Sequence, residues 1–158
     1  MPTKSVPRAI THVGLTVSDI TKAINWYQEV FGFQLLNEPY TIDSDDATFE
    51  HDIFGEFDRM TMAHLGTGNQ VGLELFEFET SDGMTETDFT SPGLNHFCVI
   101  DPDIEEMINT IEENGGMQHS PIERPFDDRP YQFAFCRDPW DNHIEIYTHS
   151  YEQFMAPQ

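Results

Sequence analysis

The chain repeats itself, and the repeat restricts its fold more than any other feature. Laid over Leu94–Met117 at an offset of 84 residues, Ile10–Phe33 places His12 on His96, Asp19 and Ile20 on Asp103 and Ile104, and Ile24 and Asn25 on Ile108 and Asn109. Glu29 then falls on Glu113 and Gly32 on Gly116. A shared apolar rhythm alone would not demand the paired histidines. One supersecondary unit must therefore form twice, each copy carrying a histidine in its first strand.

Each copy reads as strand, helix, turn. Thr11–Val17 alternates Val13, Leu15 and Val17 with other residues, the period of a strand. Ser18 suits the N-cap of a helix whose apolar positions are Ile20, Ala23, Ile24, Tyr27 and Phe31, and Gly32 supplies a left-handed stop. In the second copy Asp101 caps, Pro102 takes a first-turn position, Ile104, Met107, Ile108 and Ile111 form the stripe, and Gly115 and Gly116 end the helix. Further strands are expected at Arg59–Leu65, Val71–Phe78, Tyr131–Arg137 and His143–Thr148, with short ones near 33–36 and 117–122. The expected fold is α+β: two tandem βαβββ modules, 8–79 and 93–150, within one domain spanning 1–158, forming a curled, cup-like mixed sheet. The polar stretch Thr80–Gly93 is the expected link. The acidic stretch 37–57 has no counterpart in the second half, and its sequence assigns it no element.

Charge limits the partners. Against 29 Asp and Glu stand 7 Lys and Arg, a net charge of −22. Such a surface repels phosphate backbones and anionic lipid, so no nucleic acid and no membrane partner is expected. It suits a host with high internal salt, where self-repulsion is screened. No run of 18 apolar residues exists, and Met1–Ala9 lacks a signal-type apolar stretch, so the expected location is cytoplasmic. Cys98 and Cys136 form no close-spaced pair and are expected as reduced, packed thiols.

Strand parity then selects the candidate site. Side chains alternate across a strand. With Val13, Leu15 and Val17 under the helix, His12, Gly14 and Thr16 share the other face. By the same rule Glu74, Phe76 and Phe78 oppose Leu73 and Leu75, His96 and Cys98 oppose Phe97 and Val99, and His143, Glu145 and Tyr147 oppose Ile144 and Ile146. Two histidines and two glutamates thus stand on uncovered faces. Imidazole and carboxylate together suit one divalent metal per site (Zn, Ni, Co, Fe or Mn), with positions left for a substrate bearing two adjacent oxygens. A single strand histidine is ordinarily structural; the equivalence of the two copies favours the ligand reading. His51, His64, His119 and His149 lack such a pattern and read as surface or loop residues, while His143 shares the face of Glu145 and reads as a spare ligand or supporting group. Glu77 and Glu79 read as solvated strand residues. Trp26, Phe76, Phe78 and Tyr147 could form aromatic walls.

These stretches resemble a known family. ITHVGLTVSDITKAINWYQEVFGF resembles the opening strand and helix of vicinal oxygen chelate proteins, the glyoxalase I, bleomycin-resistance and dioxygenase group, and GLELFEF their second-ligand strand. GLNHFCVIDPDIEEMINTIEENGG resembles the second-module opening, and RDPWDNHIEIY the closing turn and strand, so that the resemblance covers 8–150. It implies a glyoxalase-like fold and a metal held by His12, Glu74, His96 and Glu145. It further implies a lyase or isomerase that stabilises an enediolate while a ligand glutamate moves the proton, Glu145 in first place and Glu74 in second. An extradiol-type dioxygenase and a bleomycin-resistance-type binder are the alternatives. The group forms its cup within one chain or across a dimer, so a homodimer acting on a small molecule is expected. The pattern departs at Thr16 and Phe78, where glutathione-using bacterial relatives carry Arg and Asn, and at Asp141, which replaces the glycine of the closing turn.

Overall fold

The computed structural model describes residues 7–80, 90 and 92–156. It divides into two compact units, Met1–Gly83 and Met84–Gln158. Most of the expected link, Thr80–Gly93, lies outside the described residues.

The first unit runs β1 (His12–Thr16), α1 (Ile20–Phe31), β2 (Gln34–Leu35), β3 (Tyr40–Asp43), a 3-10 turn (Ser44–Asp46), α2 (Thr48–Phe54), β4 (Arg59–Gly66) and β5 (Gly72–Glu79). Its sheet has the order β1-β5-β4-β2, with β3 sharing the β4 edge. β1 lies parallel to β5 and the other pairs are antiparallel. The second unit runs β6 (Phe97–Ile100), α3 (Ile104–Glu113), β7 (Met117–Gln118), β8 (Phe133–Arg137), β9 (His143–Tyr147) and α4 (Tyr151–Met155). Its order, β6-β9-β8-β7, is that of the first sheet. The α+β expectation with two βαβββ repeats holds. The inserted 37–57 stretch, silent in sequence, supplies β3, the 3-10 turn and α2.

Each helix lies on one face of its own sheet. Ile20, Ala23, Ile24, Tyr27 and Val30 of α1 are buried, as are Leu15, Ala63, Leu65, Leu73 and Leu75 of the strands. In the second unit Ile104, Ile108 and Ile111 are buried along with Ala134, Cys136, Ile144 and Ile146. Burying each large aliphatic side chain contributes roughly 1.5–3 kcal/mol.

Both helix starts lie past the expected caps. Asp19, not Ser18, caps α1 by accepting from Lys22 N–H at 3.0 Å. Glu77, read in sequence as solvated, reaches under the same helix end and accepts from Ile20 N–H. Carboxylates belong there, because the first amides of a helix lack partners and carry its positive pole. Asp103, not Asp101, caps α3, and Asp101 holds the Asp103 N–H at 2.9 Å.

Candidate metal centre

Residues directly opposite across a ladder point to the same side of the sheet. In the first unit Glu74 lies between Gly14 on β1 and His64 on β4. The face away from α1 therefore carries His12, Glu74 and His64 at one end. His12 Nε2 stands 3.6 Å from Glu74 Oε2, and His64 Nε2 stands 3.6 Å from Glu74 Oε1. Thr11 Oγ1 lies 3.0 Å from His12 Nδ1, and Asn37 Oδ1 lies 3.2 Å from His64 Nδ1. The Tyr40 ring stacks on His64 at 5.9 Å. Gly72 stands opposite His12, and a Cβ there would lie a tight 3.1 Å from His12 Cβ.

The other end of this face is apolar and covered. Ala47, Phe57, Met60, Met62 and Phe76 form a buried cluster with Ile42 and Phe78 against it. From α2, Phe54 packs on Phe76 at 5.3 Å and Phe78 at 5.8 Å. Phe76 is thus sealed rather than an open aromatic wall. Trp26 is not on this face either, being buried edge-on to Tyr27 and Phe31 of its own helix.

The second unit repeats the plan. Glu145 lies between Cys98 on β6 and Phe135 on β8. His96 Nε2 stands 3.1 Å from Glu145 Oε2, Asn95 Oδ1 lies 2.8 Å from His96 Nδ1, and the His96 ring meets Phe135 edge-on at 5.0 Å. Glu145 is only 7% exposed. Burial pushes its carboxyl above the usual glutamate range, against the opposing pull of His96. His143 packs against His119 at 5.6 Å, and burial followed by the Arg137 charge holds its imidazole below the ordinary histidine value. The apolar end is again covered: Phe154 of α4 stacks on Tyr147 at 4.1 Å and lies 5.2 Å from Tyr131.

The turn before β9 aims Glu145. Buried Asp138 accepts from Trp140 N–H at 2.9 Å and Asn142 N–H at 2.8 Å through Oδ1, and from Asn142 Nδ2 at 2.9 Å through Oδ2. Asp141 takes φ 66°, so aspartate fills the left-handed place of the expected glycine. Cys136 is buried as expected, whereas Cys98 is exposed.

The four candidate residues thus form two His–Glu pairs, one in each unit. Among the described residues no three of His, Cys, Asp and Glu are gathered as a metal-binding group. Each pair nevertheless fits adjacent places on a metal. Two donors about 2.1 Å from a zinc-like ion stand about 3.0–3.4 Å apart for octahedral to tetrahedral angles, close to the 3.1 and 3.6 Å found. Sequence reasoning missed His64 and Asn37. The turn between β4 and β5, which sets Gly66 opposite Gly72, also sets His64 opposite Glu74 and was the available signal.

The duplicated βαβββ plan, with a His–Glu pair at the same place in each copy, describes a known family. The chain belongs to the Glyoxalase/Bleomycin resistance protein/Dioxygenase superfamily, whose model matches residues 9–146. A lactoylglutathione lyase of Arabidopsis thaliana is 27% identical over 109 residues, 69% of this chain, and the match spans only 33% of that relative's length. Among solved structures, a glyoxalase family protein of Bacillus cereus superposes with a TM-score of 0.72 at 16% identity, covering 93% of this chain and 97% of that one. A fosfomycin resistance protein of Listeria monocytogenes, solved with Mn(II) and a dihydroxypropylphosphonic acid, gives 0.62 at 12% identity over 96% of this chain and 98% of that one. No helix among the described residues is long and apolar enough to cross a membrane.

Proposed function

We propose that the protein is a metal-dependent lyase or isomerase of the glyoxalase-like kind. It acts on a small substrate with two neighbouring oxygens, and His12, Glu74, His96 and Glu145 hold one divalent ion. The observation that carries this reading is the equivalence of the two pairs: a first-strand histidine faces a last-strand glutamate in both copies, at 3.6 and 3.1 Å. The relatives support it, since one is a lactoylglutathione lyase and another was solved with Mn(II). When bound, a divalent ion polarises a carbonyl and stabilises charge on a neighbouring oxygen. Glu145 is the proposed proton carrier, being the more buried of the two glutamates, with side-chain exposure of 9% against 23% for Glu74. A homodimer is the proposed assembly. Phe78, partly buried against Phe54 and Phe57, offers no polar handle for a γ-glutamyl group, so a glutathione conjugate is proposed to be a poor substrate.

Elemental analysis of the purified protein tests this. About one transition-metal ion per site is expected, with strong loss in His96→Ala and Glu145→Ala and an unchanged helical circular dichroism signal. Full metal content in both variants rejects the four-residue assignment. The metal-loaded protein is expected to turn over the methylglyoxal–glutathione hemithioacetal poorly, and efficient saturable turnover would overturn the substrate statement.

A further inference from the structure

Resting on the metal centre just proposed, we infer that His64 is a positioning residue that pins the second oxygen of Glu74. Glu74 then serves as the fixed glutamate of the centre while Glu145 remains the movable one. The two glutamates occupy equivalent places yet are held differently. Glu74 has an imidazole on each oxygen: His12 Nε2 at Oε2 and His64 Nε2 at Oε1, both at 3.6 Å. Among the described residues Glu145 is paired with His96, Nε2 at Oε2, and its cross-strand neighbours are Cys98 and Phe135. Where β4 presents an imidazole to its glutamate, β8 presents a phenyl ring.

His64 is itself held. Asn37 engages its Nδ1 at 3.2 Å and Tyr40 stacks on its ring at 5.9 Å, so the ring plane is set and Nε2 is aimed at the carboxylate. Both supports come from the start of the 37–57 stretch that the second unit lacks: Asn37 precedes β3 and Tyr40 is its first residue. With His12 given to the metal, His64 is the group beside the remaining oxygen of Glu74, and drawing its Nε2 in from 3.6 Å to hydrogen-bond range would oppose rotation of the carboxylate. Opposite Glu145, β8 offers Phe135 instead. Groups that orient ligands in this way typically change metal affinity or activity about 10–100-fold when removed.

The test uses the full-length protein and zinc or cobalt(II) as the probe. His64→Leu removes the contact, and His64→Gln returns an amide nitrogen near the position of Nε2. Metal affinity is expected to fall about 10–100-fold in the leucine variant and to recover largely in the glutamine variant. The visible spectrum of the cobalt(II) form is expected to shift only in the leucine variant. Melting temperatures of the metal-free proteins separate folding from positioning. Wild-type affinity and spectrum in His64→Leu would overturn the inference while leaving the metal centre intact. Equal losses in both variants, matched by equal losses of metal-free stability, would show a structural role and also overturn it. A wild-type protein that binds no metal would instead remove the reading on which the inference rests.

Discussion

Glu145 and Glu74 show how one residue type at equivalent positions acquires two characters from its neighbours. Glu145 is buried beside His96, and its carboxyl is raised above the ordinary range mainly by desolvation. Its native pKa therefore lies above that in the unfolded chain. The stabilisation this brings is fully present below the unfolded value and is lost as pH rises through the raised native value. At neutral pH, without metal, the buried carboxylate opposes folding. Metal-free Glu145→Gln is therefore expected to melt higher than the wild type at pH 7, with the gap narrowing as pH falls towards about 4. A variant that melts lower at neutral pH would show that attraction to His96 outweighs desolvation. The nearness of His12 to Glu74 and of His96 to Glu145 was legible in the sequence, because strand parity needs only one strand at a time. His64 was not, because its relevance depends on which residue of a neighbouring strand stands opposite, and that is fixed by the turn after Gly66.

At the scale of elements, the repeat preserved residues whose physical tasks have separated. Gly32 ends α1 in the left-handed region at φ 65°, with open space around its missing Cβ. Its counterpart Gly116 does not take a left-handed φ; that role falls to Gly115 at φ 86°. Gly116 is instead required by crowding, since a Cβ there would lie 2.6 Å from both Arg137 O and Ile111 Cγ2. Backbone oxygen cannot yield as a flexible side chain can. Gly116→Ala is expected to destabilise by about 1–3 kcal/mol, as overpacking does, measured by chemical denaturation. An unchanged midpoint would mean that α3 and β8 slide apart at little cost. Periodicity located the strands and long helices well because their apolar faces rest on the sheets. It failed at the caps by one or two residues, since Ser18, Asp19, Asp101 and Asp103 are all competent cap residues and packing selected among them. It gave nothing for α2, a short helix in which no residue is buried. That helix is held through Phe54, on Phe76 and Phe78, and through His51, on Phe57, and two scattered aromatic contacts leave no apolar period to read.

For the whole molecule, charge sets the conditions under which the fold is comfortable. With 29 acidic side chains against 7 Lys and Arg, most carboxylates lack a cation, and pairs such as Arg59–Asp43 at 2.7 Å engage only a few. Mutual repulsion over such a surface acts across about 10 Å at 0.1 M salt and about 3 Å at 1 M. The melting temperature is expected to rise over that interval, and a flat or falling curve would contradict the charge argument. The two aromatic covers have another consequence. Phe54 arrives on a helix inserted inside one copy, and Phe154 on a helix appended after the other, yet each closes over the ring two residues beyond its glutamate, Phe76 and Tyr147. Neither cover supplies a donor to a His–Glu pair. Covers and donors thus lie on different segments of the chain. Exchanging a cover offers evolution, or an engineer, a route to new substrates that leaves the donors untouched.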